Sequence, residues 1–248
     1  MTKRILVTGG AKGVGAAIVK ALVNDGFDVD FTYRSSGAAA LDLAKELASA
    51  SGRSVNAMEL DLSDRAKLDT FCEALHDTTY FGLVHNAGQP YDALAAMMAQ
   101  DKAEAAMQVN FWSLTQLAKA MMRAMMRARE GRIAVMGSVT ALQGSQGNAA
   151  YAASKGAMLS YCRTLAVETA KRGITVNYLA PGFIDTDMMA PYAAYRENME
   201  KQIPAGRFAK PEEIAGLCAF LMSEPAAYIT GAVLPIDGGL TSMIGVHR

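Results

Sequence analysis

"RILVTGGAKGVGAAIVKALVNDG" (residues 4–26) decides how the chain begins to fold. Ile5, Leu6 and Val7 make a short buried strand that ends in glycines, and Gly13 and Gly15 follow closely. From Gly15 the apolar residues recur at helical spacing until Gly26 stops the helix. Glycines between a strand and a helix let the backbone turn tightly and approach a pyrophosphate, which the unpaired N–H groups of the helix N-terminus then meet. The spacing is TGxxxGxG over residues 8–15, with Gly9, Lys12, Gly13, Val14 and Gly15 inside it. It differs from the commoner GxGxxG dinucleotide fingerprint, and a purely structural tight turn stays open on this stretch alone. No GK[ST] follows, which argues against a nucleoside triphosphatase.

The alternation continues outward from this unit. "FDVDFTY" (27–33), a strand in 54–64, "FGLVHNAG" (81–88), "GRIAVMGS" (131–138), "GITVNYLAPG" (173–182) and "AVLPIDGG" (232–239) read as strands. Helical spacing is expected over 38–52, 65–75, a long region ending at Arg129, about 150–171, and 211–223. Strict alternation of strand and helix implies an open α/β fold, a doubly wound parallel sheet of about seven strands with helices on both faces. No linker, repeat or low-complexity block interrupts it, so residues 1–248 read as a single domain.

Composition narrows the function classes. The formal net charge is zero over 248 residues, so no global field favours nucleic acid. Three scattered cysteines without CxxC spacing argue against a disulfide framework or zinc site and fit a reducing compartment. His76, His85 and His247 lack metal-ligand spacing, so no metal is expected. No apolar run approaches the roughly 20 residues of a membrane span. A soluble cytoplasmic protein with no membrane partner is the expectation.

Two further stretches carry chemistry. At the end of the second strand, "FTYRSS" places Tyr33, Arg34 and Ser35 where an NAD-selective site holds an acidic residue. With Lys12 in the glycine turn, two cations flank the place of an adenosine ribose, which favours a 2′-phosphate and NADPH/NADP+; two solvated surface cations are the plainer alternative. In "NAAYAASKGAML" (148–159) Tyr151 and Lys155 stand one helical turn apart on one face. A tyrosine of pKa about 10 is a poor proton donor at neutral pH, and a nearby ammonium would lower that value. Alone, the pair could equally be a packing residue and a solvated partner.

Taken in order, TGxxxGxG (8–15), "NAG" (86–88), Asn110, Ser138, Tyr151-x-x-x-Lys155 and "PG" (181–182) resemble the short-chain dehydrogenase/reductase family over essentially the whole chain. The resemblance implies a Rossmann-type fold in which Ser138 binds the substrate carbonyl and Tyr151 is the general acid. Lys155 would hold the nicotinamide ribose, and Asn110 would position a water that links Lys155 to solvent. It further implies that Asp61 and Leu62 meet the adenine, and that Asn86, Ala87 and Gly88 line the adenosine ribose. Pro181, Gly182, Ile184 and Thr186 would meet the nicotinamide. His85 departs from the asparagine common before "NAG", a change expected to matter little.

Within the family the chain is most similar to 3-oxoacyl-[acyl-carrier-protein] reductases, through 118–133, 171–188 and 203–239. That implies a 3-oxoacyl thioester substrate, an acyl carrier protein partner, and a homotetramer built through the helices around 100–129 and 152–171 and the last strand. The pathway could be fatty-acid or polyketide-like biosynthesis. Arg123, Arg127, Arg129 and Arg132 gather near one helix end and Arg172 lies in a later loop. Complementary charge would steer an acidic carrier, and Arg129 and Arg172 are the docking candidates; cations balancing a helix C-terminus are the alternative for Arg123 and Arg127. Residues 186–208, rich in Met and Tyr, read as a mobile substrate lid.

Overall fold

A computed structural model describes residues 2–75 and 78–243; His76 and His247 lie outside the described residues. The strands are β1 (Arg4–Val7), β2 (Asp28–Tyr33), β3 (Val55–Glu59), β4 (Gly82–His85), β5 (Gly131–Met136), β6 (Ile174–Pro181) and β7 (Val233–Ile236). They pair in parallel in the order β3-β2-β1-β4-β5-β6-β7. The helices are α1 (Gly13–Asn24), α2 (Gly37–Ser51), α3 (Arg65–Ala74), α4 (Gln100–Met107), α5 (Ser113–Ala128), α6 (Ala149–Thr169), α7 (Arg196–Glu200) and α8 (Pro211–Met222). No described helix is long and apolar enough to cross a membrane.

Successive strand residues point to opposite faces, so the sheet divides the core in two. Ile5, Val7, Val29, Phe31, Ala134 and Met136 face α1, α2 and α8. Leu6, Leu83, Ile133, Val135, Val176 and Tyr178 face α3, α5 and α6. Each fully buried aliphatic side chain of this kind contributes about 2–3 kcal/mol. Local chemistry sets the helix limits. Gly52 closes α2 at φ +67, and the Asp64 side chain caps α3 by accepting from Lys67 N at 3.1 Å. Pro211 opens α8, where the Glu213 carboxylate accepts from Lys210 N at 2.7 Å.

Two expectations change. The expected long helix before Arg129 is broken: a 3₁₀ turn at Ala95–Met97 precedes α4, and a π-helical turn, Gln108–Trp112, separates α4 from α5. Helical periodicity reports which face is apolar and does not show an inserted residue. Arg132 does not belong with the exposed arginines. It lies buried in β5, donates to the Gly131 carbonyl at 2.9 Å, and sits over the Phe81 ring. Within residues 186–208, a 3₁₀ segment, Asp187–Tyr195, runs into α7, and turns follow from residue 201.

The chain crosses from one edge of the sheet back to its middle between β3 and β4. Ligands of open α/β sheets bind at such a switch point, beyond the carboxyl ends of the strands. Here that point lies between β1 and β4, so the glycine turn and the "NAG" loop are its two walls.

Candidate active site

At the end of β1 the chain turns through Gly9, at φ +67, and Gly13, at φ +54. A Cβ added to Gly15 would lie 2.0 Å from the Gly9 carbonyl oxygen, so the turn closes only around glycine. Thr8 and Asn86 tie this turn to the end of β4. Thr8 Oγ1 accepts from the N–H groups of Asn86 and Ala87 at 3.0 Å each. Asn86 Nδ2 donates to the carbonyls of Thr8 and Gly9, both at 3.1 Å. Thr186, at the start of the 3₁₀ segment, comes down beside Gly13, where an added Cβ would meet its methyl group at 3.5 Å.

Beside Tyr33 and the exposed Arg34, Asp61 keeps a lowered pKa. Its Oδ1 accepts from Ser63 Oγ and N at 2.7 and 2.9 Å, and Arg34 adds a favourable charge. Neither Lys12 nor Arg34 forms an ion pair among the described residues. Pro181 ends β6, and Gly182 donates to the Ile236 carbonyl at 3.1 Å. Ile184 bridges to Ala209 through its backbone.

Tyr151 and Lys155 share one face of α6, with Lys155 Nζ 5.5 Å from the Tyr151 ring centre. Ser138, just beyond β5, faces the same space and acts on the Tyr151 phenol, whose pKa it lowers. Ser138 Oγ accepts from Thr140 N at 3.2 Å and from Thr140 Oγ1 at 3.0 Å, which leaves its own proton to donate. Gly88 borders the same space: a Cβ there would sit 3.4 Å from both Asn110 Oδ1 and Lys155 Nζ. The structure thus brings together Ser138, Tyr151, Lys155, Asn110 and Gly88.

The electrostatics differ from expectation. Burial pushes the Tyr151 phenol up to about 12, the Asp92 carboxylate adds to the rise, and the Ser138 hydrogen bond opposes it. Burial lowers Lys155 to about 8. Burial and Asp92 thus set the direction of the Tyr151 shift, and burial alone that of Lys155. Lys155 Nζ donates to the Met136 carbonyl at 2.8 Å. The Asn110 amide makes its own direct hydrogen bonds beside this space. Its Oδ1 accepts from Gln89 N at 2.7 Å, and its Nδ2 donates to Gln89 O at 3.1 Å and Ser154 Oγ at 2.8 Å.

Sequence reasoning missed Ser154, Tyr178 and Asp92. Ser154 passes the Asn110 contact on by donating to the Tyr151 carbonyl at 2.7 Å. The Tyr178 hydroxyl accepts from Ser138 N at 3.0 Å and donates to Lys155 O at 3.2 Å. Its ring occupies the space over Gly137, where a Cβ would lie 1.8 Å away. Asp92 accepts from the Tyr192 hydroxyl, joining the 89–99 loop to the 3₁₀ segment. His85, expected to matter little, is fully buried and hydrogen-bonded through both ring nitrogens. The "TGG" and "YAASK" spacings carried a local signal, whereas the bonds of Ser154 to Asn110, Tyr178 to Ser138, Asp92 to Tyr192 and His85 to Thr8 and Asn110 are long-range.

Arg129 and Arg172 stand together at the opposite end of the sheet, ahead of β5 and β6. Arg129 closes α5 in the left-handed region at φ 54, and its Nη2 donates to the Lys171 carbonyl at 3.1 Å.

Comparison with known proteins follows the same lines. Over residues 9–241 the chain matches the family model described as enoyl-(acyl carrier protein) reductase. It is 40% identical over 243 residues to the 3-oxoacyl-[acyl-carrier-protein] reductase FabG of Salmonella typhimurium, covering 96% of this chain and 97% of that one. A short-chain dehydrogenase/reductase from Serratia marcescens superposes with a TM-score of 0.89 at 35% identity, covering 96% of this chain and 98% of that chain. A blue fluorescent protein from a metagenomic library, solved in complex with NADPH, gives a TM-score of 0.89 at 35% identity over 96% and 97% of the two chains. Since these likenesses span the sheet and the site together, the chain belongs to the short-chain dehydrogenase/reductase family, whose members are oxidoreductases that use nicotinamide cofactors.

Proposed function

We propose that the chain reduces a 3-oxoacyl thioester, carried on an acyl carrier protein, to the 3-hydroxyacyl product with NADPH. The observation that carries this reading is the meeting of Ser138, Tyr151 and Lys155 at the carboxyl ends of the strands, beside a glycine turn that only glycine can close. The residues present suit a dinucleotide. Glycines leave the turn open to a pyrophosphate, Asp61 Oδ2 makes no hydrogen bond among the described residues and could take the adenine amine, and Lys12 and Arg34 offer uncommitted cations to a 2′-phosphate. The NADPH complex of the metagenomic relative supports the cofactor choice. Leu62, Asn86, Ala87 and Gly88 would line the adenosine side, and Pro181, Gly182, Ile184 and Thr186 the nicotinamide side.

When bound, NADPH supplies the hydride that the carbonyl carbon receives. The Ser138 proton, unclaimed by Thr140, binds the carbonyl oxygen. Tyr151, protonated at neutral pH, gives its proton to the oxygen as negative charge develops there. Lys155, held by Met136 O and the turn of α6, stands ready to orient the ribose and to return a proton to the phenolate.

The acyl chain would run along an apolar rim: Leu94 and Met97 from one loop, Leu142 from another, and Met188 and Tyr195 from the 186–208 lid are all exposed. Arg129 and Arg172, a strand length of about 20 Å from the catalytic end, would act on the carrier by steering. A homotetramer would form through the helices around 100–129 and 152–171 and the last strand, and exposed Val167 on α6 is in keeping with it.

The test is NADPH oxidation with 3-oxoacyl and enoyl substrates, each on carrier protein and on CoA, since the family description and the FabG relative name different bonds. The reading expects the highest kcat/KM with the 3-oxoacyl carrier; turnover of the enoyl substrates alone would overturn it. Arg34→Ala should weaken NADPH by about 1–2 kcal/mol, roughly tenfold, with NADH little changed. Equal losses of both cofactors would contradict 2′-phosphate recognition.

A further inference from the structure

We propose that His85 is a positioning residue of the active site, whose imidazole joins the glycine turn to the π-turn so that Thr8 and Asn110 hold a fixed separation. This rests on the reductase reading above. His85 ends β4, has no exposed surface, and meets one partner at each ring nitrogen. Nε2 lies 3.1 Å from the Asn110 carbonyl oxygen, and Nδ1 lies 3.3 Å from Thr8 Oγ1. A carbonyl oxygen can only accept, so Nε2 carries the proton and Nδ1 is the acceptor. Thr8 Oγ1 already accepts from Asn86 N and Ala87 N, so its own proton is free to go to Nδ1.

The donors then run in one unbroken sense on each side of the ring. On one side, the N–H groups of residues 86 and 87 bond to Thr8, and Thr8 to Nδ1. On the other, Nε2–H bonds to the Asn110 carbonyl. The Asn110 side chain continues to Gln89 and Ser154, and Ser154 to the Tyr151 carbonyl. The imidazole therefore links the glycine turn to the π-turn, whose Asn110 also bonds Gln89 beside the "NAG" loop and Ser154 of the helix that carries the acid. Burial and the facing Lys155 ammonium keep the ring neutral, which this two-sided arrangement needs. An aliphatic residue would fill the space and break both links.

The two amide side chains separate the links. Asparagine places its amide near the position of Nδ1 and reaches Thr8; glutamine places its amide near Nε2 and reaches the Asn110 carbonyl. The test measures kcat and NADPH Kd for His85→Leu, His85→Asn and His85→Gln in the full chain, with thermal midpoints alongside. His85→Leu should lose kcat about 10- to 100-fold by misplacing the acid and weaken NADPH about fivefold for one lost hydrogen bond. His85→Asn should recover NADPH affinity but not kcat, and His85→Gln should recover kcat but not affinity. Losses in both amide variants that track only the thermal midpoint, with no split between kcat and Kd, would overturn the proposal. So would wild-type values throughout. If the leucine variant does not fold, the amide pair still decides. Should the wild type turn over no ketone at all, the reductase reading fails, while the Kd order, asparagine near wild type and glutamine weaker, still judges His85.

Discussion

At the scale of the residue, Tyr151 and Lys155 stand one turn apart, and burial moves their ionisation in opposite directions, to about 12 and about 8. The pair was legible in the sequence because four residues along a helix share a face. The direction of the phenol's shift was not, because it depends on burial and on Asp92, neither of which spacing reveals. Lys155 has a consequence for stability. A lysine whose folded pKa lies below 10.5 binds its proton less tightly when folded, so stability rises with pH between about 8 and 10.5, and the fold bears the cost below 8. At about 1.4 kcal/mol per unit, the buried ammonium costs on the order of 3 kcal/mol at neutral pH. Lys155→Met should therefore raise stability at pH 7 by about 1–2 kcal/mol, after loss of the Met136 hydrogen bond, while abolishing turnover. A urea midpoint below that of the wild type would contradict this account.

At the scale of the element, the strand-turn-helix units were readable because their signals are local: β-branched runs, glycine stops, and helical spacing. The π-turn at Gln108–Trp112 was not, although it carries Asn110. Gln108 shows why: its side chain accepts from Arg65 Nε at 2.9 Å and donates to the Leu62 carbonyl at 3.3 Å, partners more than 40 residues away. The same dependence on distant chain hid Tyr178, which reaches Ser138 only because residue 137 lacks a side chain. For the glycine turn the geometry gives a sharp expectation. Gly15→Ala would force a Cβ to 2.0 Å from the Gly9 carbonyl and 2.7 Å from Asn86 Nδ2. The turn must open, and NADPH affinity should fall at least about tenfold. Gly216→Ala, in the interior of α8 with no atom within 4 Å of the added carbon, should instead stabilise by about 0.5–1 kcal/mol. Titration of NADPH into the first variant and a thermal melt of the second check both; an unaltered Kd for Gly15→Ala would contradict the cradle.

At the scale of the whole molecule, the parallel sheet has two unlike ends. The carboxyl end gathers the glycine turn, the "NAG" loop, Ser138 and Tyr151, and the amino end carries Arg129 and Arg172. The parallel sheet was deducible from the alternation of elements, whereas the partners of His85, 77 and 25 residues away, were not. Burial and Lys155 lower its pKa from 6.5 to about 3, so the unfolded chain takes up a proton that the folded chain refuses. The stability this residue contributes is complete above about pH 6.5 and is lost as pH falls toward 3. Between pH 7 and 5 the wild type should lose about 2 kcal/mol more than His85→Asn; parallel stability curves would contradict a buried neutral ring. The central claim, that the Tyr151 phenol is the acid, is tested most directly by Tyr151→Phe, with kcat and NADPH Kd measured on the same preparation. Loss of kcat by about 10³-fold or more with Kd within a few-fold of the wild type is the predicted result, and turnover near the wild-type rate would contradict it.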